Sequence, residues 1–306
     1  MTSPQPPRGV FAPVATVFGA DGELDRVRFS ANLNFYAASA LDGVVLLGSN
    51  GEFATMDLDE RRQVIECGVA AINGRRTVLA GTGAESTRAT IDLTKASASA
   101  GVDYALVVTP HYYKSRYDQA AYVNHYLKVA EASPIPVLIY VMAAYTGVDL
   151  PTPIILELAK HPNIVGIKDS GGNAAKVGEI IAGARSDFGV LAGSANFLYA
   201  ALCLGASGGI VALGNIAPQE CAEIARLFYA GDHAAARELQ LRMIAPNAAV
   251  TSGFGIAGLK AALDWVGLNG GAPREPILPL NDGERDALFA TLQTAGIGRV
   301  AIASPA

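Results

Sequence analysis

Short apolar runs rich in β-branched residues recur through the first two thirds of the chain. They are spaced by roughly 20 to 35 residues, as expected of strands that alternate with helices. Each run is apolar throughout, which is typical of parallel strands buried on both faces. The eight runs are Val10–Phe18, Gly43–Gly48, Thr77–Gly81, Tyr104–Thr109, Pro136–Met142, Ile164–Lys168, Gly189–Gly193 and Gly208–Leu213. They predict an α/β fold, a (β/α)8 TIM barrel over residues 9–215.

A doubly wound open sheet is the structural alternative to this barrel. It is less favoured because no G-x-G-x-x-G fingerprint follows the first run. After about residue 216 the strand-like runs stop and helical periodicity takes over. Helices are predicted from Pro218 to Gly231 and over residues 232–244, 255–266 and 282–296. We therefore expect a flexible N-terminal arm (residues 1–8), the barrel, and a C-terminal helical region (residues 216–306) packed on the barrel or on another subunit.

Composition narrows the classes of partner. Of the 306 residues 51% are hydrophobic and 17% are charged, so the chain is globular and can bury a large core. A net charge of -5 argues against a nucleic-acid partner. No apolar stretch reaches the ~18 residues of a membrane span, and residues 1–8 lack a signal-peptide core, so we expect a cytoplasmic protein. The three cysteines and four histidines show no metal-ligand spacing, and no metal or other cofactor is expected.

The most informative position is Lys168, which ends the apolar run Ile164–Ile167 and precedes Asp169. A lysine on a buried strand is costly unless the site lowers its charge or uses it. A desolvated lysine with a lowered pKa is the usual nucleophile that forms Schiff bases with carbonyl substrates. The alternative is a lysine that emerges at the strand end and pairs with Asp169 in solvent. Position alone does not decide between the two.

The ends of neighbouring runs supply further candidates, because active sites of such barrels lie at the carboxyl ends of the strands. Tyr140 falls on the fifth run at the register of Lys168, where a tyrosine could relay protons beside an imine. The second run leads into the turn Gly48–Glu52, in which Ser49 and Asn50 offer donors to a substrate carboxylate. A simple tight turn is the alternative for that segment.

These motifs together give a family resemblance over essentially the whole chain. The motifs that carry the resemblance are Gly48–Glu52, Thr109–Tyr113, Tyr140, Gly166–Ser170 and Leu191–Ser194. Through them the protein resembles the dihydrodipicolinate synthase / N-acetylneuraminate lyase superfamily. Within the superfamily the chain is most similar to the 4-hydroxy-2-oxoglutarate aldolases, through His161–Gly172, Pro246–Thr251 and the G-S-N-G-E-F form of the second turn.

The resemblance implies class I aldolase chemistry in a homo-oligomer, a dimer of dimers. Lys168 would form an iminium with a small 2-oxo acid, and Tyr140 would move protons during imine formation and accept the 4-hydroxyl proton during cleavage. A 2-oxo-4-hydroxy acid such as 4-hydroxy-2-oxoglutarate would yield pyruvate and an aldehyde such as glyoxylate. Tyr112 matches a tyrosine that family members insert into a neighbouring subunit's active site. The implied substrate-binding positions are Ser49, Asn50, Ser170, Gly193 and Ile210.

One position departs from the family pattern. Synthases place an arginine, and hydroxyoxoglutarate aldolases an asparagine, where this chain has Tyr145. A phenol cannot replace the bidentate guanidinium, which disfavours the synthase reaction. Tyr145 could donate one hydrogen bond to the substrate, or narrow the pocket toward smaller or less charged aldehydes. A tyrosine that packs away from the site is the alternative.

Three functions remain open from the sequence. The first is the aldolase reaction described above. The second is dihydrodipicolinate synthase, or a sugar-acid aldolase or dehydratase of the same superfamily. The third is a barrel that binds a keto acid without turnover, an idea supported by the altered segment Val141–Ala144. The presence of Lys168 and Tyr140 favours an enzyme.

Overall fold

The computed structural model describes residues 4–300, in which eight parallel strands form a closed barrel. Each strand pairs with the next along the chain, and the last pairs with the first. The strands are β1 (Gly9–Pro13), β2 (Gly43–Leu46), β3 (Thr77–Gly81), β4 (Tyr104–Val108), β5 (Val137–Val141), β6 (Ile164–Asp169), β7 (Gly189–Ala192) and β8 (Gly208–Ile210). The predicted barrel is confirmed, and the open-sheet alternative is wrong because β8 pairs with β1.

Thirteen α-helices accompany the strands within residues 4–300. They are α1 (Arg26–Ala38), α2 (Leu58–Ile72), α3 (Thr87–Ala100), α4 (Gln119–Ala132), α5 (Ala143–Thr146), α6 (Thr152–Leu158), α7 (Ala174–Gly183), α8 (Leu198–Leu204), α9 (Pro218–Tyr229), α10 (His233–Arg242), α11 (Ile244–Ala248), α12 (Gly255–Val266) and α13 (Asp282–Thr294). The four helices predicted after residue 216 correspond to α9, α10, α12 and α13. No helix of the described part of the chain is long and apolar enough to cross a membrane.

Local capping residues set the start of α2, the helix that follows the turn after β2. The carboxylate of Asp57 accepts hydrogen bonds from the backbone N–H groups of Asp59 and Glu60, at 2.9 and 2.8 Å. The side chain of Glu60 in turn accepts from the backbone N–H of Asp57 at 2.8 Å. This reciprocal capping box satisfies N–H groups that have no partner inside the helix. It fixes the point at which the chain leaves the mouth of the barrel.

Side chains of the strands alternate between the barrel interior and the surrounding helices. On β5 the outward residues Val137, Ile139 and Val141 pack in the layer beneath the helices. The inward residues form a separate cluster inside the barrel, made of Phe11, Val45, Leu79, Leu106, Val108, Leu138, Tyr140, Val165, Leu191 and Ile210. Lys168 pairs with Tyr140 on one side and with Leu191 on the other. Lys168 therefore points into the barrel.

The segments before and after the barrel both contact it. Pro6 and Pro7 are buried, and the carbonyl of Gln5 accepts a hydrogen bond from the Tyr104 hydroxyl at 3.1 Å. These residues belong to the segment expected to be a flexible arm, of which residues 1–3 lie outside the described part. At the other end, Leu259 and Leu263 of α12 belong to the same buried cluster as residues of β1 and β2. The C-terminal helices thus pack on the barrel.

Candidate active site

Lys168 is buried at the carboxyl end of β6 with only 3% of its surface exposed. Within residues 4–300 no carboxylate lies within 4.0 Å of its ammonium group. Asp169 faces the other way and pairs with Lys176, whose Nζ lies 3.1 Å from Asp169 Oδ2. The alternative of a Lys168–Asp169 pair in solvent is therefore wrong. Burial lowers the pKa of Lys168 to about 7, so a large fraction of this amine is uncharged at neutral pH.

Tyr140 lies directly beside this amine. The Nζ atom of Lys168 is 4.3 Å from the centroid of the Tyr140 ring. The Tyr140 hydroxyl is 3.2 Å from Ser49 Oγ, and the hydroxyl of Ser170 is a second hydrogen-bonding partner. Burial raises the pKa of Tyr140, and the two serine hydroxyls only partly oppose this effect. The phenol is therefore neutral at physiological pH, with two neighbours between which it can pass a proton.

The turn that carries Ser49 is held in an unusual backbone conformation. Ser49–Gly51 forms a single 3-10 turn, flanked by Leu47 with φ of 53° and Glu52 with φ of 59°. A bulky residue rarely adopts positive φ, and such strained residues are common at binding sites. The half-buried side chain of Asn50 has no hydrogen-bond partner among the described residues. The turn therefore presents both side-chain donors that the sequence indicated.

A buried ion pair fixes the end of this turn. The carboxylate of Glu52 lies 2.5 Å from the Nζ of Lys260, and both side chains are at most 1% exposed. The second carboxylate oxygen accepts from the backbone N–H of Arg274 at 2.7 Å. Lys260 also donates to the carbonyl of Ala272 at 2.8 Å. Burial lowers the pKa of Lys260, and the charge of Glu52 opposes that shift. Thus α12 and the segment after it hold the turn that carries Ser49.

Sequence reasoning missed this ion pair. The available signal was Lys260 itself, a charged residue inside the otherwise apolar α12, together with the acidic end of the Gly48–Glu52 turn. A lysine and a glutamate in apolar surroundings suggest a buried pair. Their pairing joins residues more than two hundred positions apart in the sequence. The pattern of strands and helices does not predict contacts between residues so far apart.

The ends of β6 and β7 are pressed closely together. Gly193 donates its N–H to the carbonyl of Asp169 at 2.7 Å, and Ser170 Oγ donates to the carbonyl of Gly193 at 3.5 Å. A Cβ atom at Gly193 would collide with Ser170 Oγ and with the Asp169 carbonyl. Only glycine fits here without moving Ser170 away from Tyr140. Ile210 is the buried last residue of β8, also at the carboxyl end of the barrel.

A cavity of about 440 Å³ opens beside Ser49 at the carboxyl end of the barrel. Ser49, Val108 and Met142 line it on the barrel side, and Phe254 and Ile256 line it on the side of α12. Tyr145 is 58% exposed and also lines the cavity, so it does not pack away from the site. A larger recess of about 850 Å³ lies near Arg8, Asp42 and Tyr229, before β1 and β2, and contains none of the predicted site residues.

Tyr112 lies apart from the other candidates. It is 75% exposed and its ring contacts that of Tyr113, with 4.9 Å between the centroids. The carboxylate of Glu85 holds this loop by accepting hydrogen bonds from the backbone N–H groups of His111 and Tyr112, at 3.0 and 2.9 Å. Tyr112 does not line the cavity of its own chain.

In the described part of the chain, no cluster of three His, Cys, Asp or Glu residues could hold a metal ion.

Comparison with known proteins gives the same family as the sequence motifs. The model of the dihydrodipicolinate synthetase family matches residues 6–295. The chain belongs to the dihydrodipicolinate synthase family. This family comprises pyruvate-dependent lyases and aldolases, and the chain is accordingly a carbon–carbon lyase.

Individual relatives carry different names within this family. A probable mitochondrial 4-hydroxy-2-oxoglutarate aldolase of Emericella nidulans is 37% identical over 285 residues, 92% of each chain. A 4-hydroxy-tetrahydrodipicolinate synthase of Nitrosospira multiformis is 34% identical, covering 95% of this chain and 96% of that protein. A prophage protein of the family from E. coli, solved in complex with pyruvate, has a TM-score of 0.90 and 30% identity, covering 95% of this chain and 99% of its own.

We predict that Lys260→Met destabilises the protein by about 3–5 kcal/mol, because it leaves the buried carboxylate of Glu52 without its cation. The free energy of unfolding can be measured by urea denaturation. Combining Lys260→Met with Glu52→Gln should recover much of the loss, since both charges are then removed. Lys160→Met, which breaks the exposed pair with Glu157, serves as control and should change stability little. A Lys260→Met protein as stable as the control would refute the prediction.

Proposed function

We propose that this chain is a class I aldolase that cleaves a 2-oxo-4-hydroxy acid, either 4-hydroxy-2-oxoglutarate or a similar acid of that class, to pyruvate and an aldehyde. The observation that carries the proposal is the buried Lys168, with a pKa of about 7 and no carboxylate partner in the described chain, beside Tyr140. An uncharged amine at this pH is the form that adds to a carbonyl group. The pyruvate complex of the E. coli relative and the name of the Emericella nidulans relative support the same chemistry.

In the proposed reaction the amine of Lys168 adds to C2 of the 2-oxo acid, and loss of water gives an iminium. The C3–C4 bond then breaks, and its electron pair moves toward the iminium nitrogen to form an enamine. The 4-hydroxyl loses its proton as the aldehyde forms. Protonation of the enamine at C3 and hydrolysis of the resulting iminium release pyruvate and restore the lysine.

Tyr140 is proposed to carry the protons of these steps. Because burial raises its pKa, the phenol does not act as a preformed phenolate. Instead it accepts the proton of the 4-hydroxyl while passing its own proton to the hydroxyl of Ser49 or Ser170, which in turn releases a proton to solvent. Ser49 and Asn50 are proposed to bind the substrate carboxylate, since their turn offers hydroxyl and amide donors next to Tyr140. The backbone carbonyls of Gly193 and Ile210 are proposed to line the lysine pocket.

The synthase reaction is the second candidate, favoured by the names of several relatives such as that of Nitrosospira multiformis. Tyr145 argues against it, because no guanidinium stands at that position to bind a second carboxylate. The sugar-acid reactions of the superfamily have no specific observation in their favour. A barrel without turnover is disfavoured by the hydrogen-bonded arrangement of Tyr140 beside an unpaired, buried amine.

We predict that pyruvate and cyanoborohydride label Lys168 at a rate that rises with pH, with a midpoint near pH 7. Below this pH the amine binds a proton and cannot attack, and above it the free amine predominates. Intact-protein and peptide mass spectrometry after labelling at a series of pH values measures both the rate and the position. Lys168→Ala should abolish labelling and turnover, whereas the exposed-site variant Lys160→Ala should label normally. Labelling that survives in Lys168→Ala would remove this residue from the proposed role.

We predict that Tyr140→Phe lowers kcat by about 10²–10⁴, as expected for the loss of one proton-transfer group. The iminium should still form, because the amine and its burial are unchanged, and pyruvate labelling measures this separately from turnover. Ser49→Ala removes one of two relay partners and should have a smaller effect. Near-normal turnover in Tyr140→Phe would reduce the tyrosine to a packing role.

We further propose that Tyr112 completes the site of a neighbouring subunit in a homo-oligomer. Its exposed ring stands on a loop that Glu85 fixes from within the same chain. Two inactive variants, Tyr112→Ala and Lys168→Ala, should regain part of the activity when mixed and reassembled, since hybrids then contain some complete sites. The assembly state is measured by analytical ultracentrifugation, and a fully active monomer would contradict the proposal.

The cytoplasmic location stays a prediction.

A further inference from the structure

The cavity beside Ser49 at the carboxyl end of the barrel is mainly apolar. Its apolar wall consists of Phe53, Val108, Met142, Phe254, Ile256 and Ile277. Its volume of about 440 Å³ falls in the range of roughly 300–1,000 Å³ that is typical of sites for small organic ligands. A two-carbon aldehyde such as glyoxylate would leave much of this space unfilled.

The charges around the cavity do not favour an anion. Within residues 4–300, neither lysine nor arginine lines it. Among the lining residues, the carboxylate of Glu52 and the imidazole of His111 already have partners. Glu52 is paired with Lys260, and His111 Nδ1 lies 2.9 Å from the carboxylate of Glu85, which itself is negative. Lys114 does not line the cavity, and its ammonium donates to the carbonyl of Thr146 at 3.1 Å.

The cavity is also placed where the second half of the substrate must lie. Ser49 lines it and at the same time contacts the Tyr140 hydroxyl, whose ring lies under Lys168 Nζ. When C2 of a 2-oxo acid is bonded to Lys168, C4 is only two bonds away. C4 becomes the aldehyde carbon. The substituent on C4 therefore extends past Ser49 toward Phe254 and Ile256.

A carboxylate in this cavity would lose water without gaining a cation, which is unfavourable. A hydrocarbon group would instead gain from removal of its surface from water. We propose that the aldehyde released by this enzyme carries an apolar aliphatic or aromatic substituent, so that the substrate class is 2-oxo-4-hydroxy acids with a hydrocarbon group on C4. This inference rests on the proposed aldolase function and excludes glyoxylate as the preferred aldehyde.

The experiment measures the reverse reaction, in which pyruvate C3 forms a bond to the aldehyde carbon and the aldehyde oxygen takes up a proton. The purified enzyme is given pyruvate with glyoxylate, 2-methylpropanal or benzaldehyde, and the product is quantified by mass spectrometry. The kcat/KM for the better apolar aldehyde should exceed that for glyoxylate by roughly tenfold or more. An equal or higher value for glyoxylate would overturn the inference.

Two variants test whether charge in the cavity sets this preference. Tyr145→Arg adds a guanidinium to the wall and should raise kcat/KM for glyoxylate while lowering it for the apolar aldehyde. Tyr145→Gln is the matched control, long and polar but uncharged, and should not raise the value for glyoxylate. In the otherwise unchanged enzyme, Lys114→Met should leave the use of glyoxylate unaltered. A large fall in Lys114→Met would show that Lys114 serves as a carboxylate site, against the inference.

Labelling with pyruvate and cyanoborohydride in the same preparations distinguishes failure of the proposed aldolase function from failure of the apolar substrate class alone. If no adduct forms on Lys168, the proposed aldolase function fails and the inference fails with it. If the adduct forms but glyoxylate is preferred, the aldolase function stands and only the apolar substrate class is wrong. If the adduct forms and none of the three aldehydes reacts, the cavity does not accept an aldehyde substituent and the inference is likewise refuted.

Discussion

An amine held inside the barrel without a counter-charge is the constraint on which the site depends. Desolvation of Lys168 favours its neutral form, and a carboxylate beside it would oppose that effect. The fold keeps the nearest carboxylate away by strand alternation, because Asp169 points outward to Lys176 while Lys168 points inward. The parallel pairing of β5 and β6 then brings Tyr140 alongside. Thus one residue of register decides whether Lys168, the proposed nucleophile, points into the barrel or toward the surrounding helices.

The second buried lysine shows the opposite arrangement. Lys260 has the same side chain and is equally buried, but the carboxylate of Glu52 lies 2.5 Å away and opposes the lowering of its pKa by burial. This pair connects α12 to the turn after β2, so the C-terminal helices determine where Ser49 stands relative to Tyr140. The C-terminal region is therefore part of the site in a physical sense, although it supplies none of the candidate reacting groups. The two buried lysines therefore have different electrostatic surroundings, because among the described residues only Lys260 lies beside a carboxylate.

The sequence predicted the elements of the site better than their contacts. Eight apolar runs were enough to place the strands, and hence Tyr140 beside Lys168, because register and alternation are local properties of parallel strands. The Glu52–Lys260 pair and the wall formed by Phe254, Ile256 and Ile277 were not predicted. These contacts depend on how the C-terminal helices approach the barrel mouth, which hydrophobic periodicity does not specify. Tyr145 was recognised as a departure, but its place in the cavity wall required the fold.

The site therefore has an inner and an outer half with different physical characters. The inner half contains the amine, the phenol and the serine hydroxyls, which in the proposed reaction act on the 2-oxo acid portion that all substrates of this chemistry share. The outer half is formed by α5 and by the segment from Phe254 onward, and no lysine or arginine of the described residues lines the cavity there. Discrimination between aldehydes falls to this outer half, because only there do substrates of one reaction differ. The absence of a guanidinium at Tyr145 and the apolar wall of α12 act in the same direction, since both make a carboxylate on C4 costly to bind.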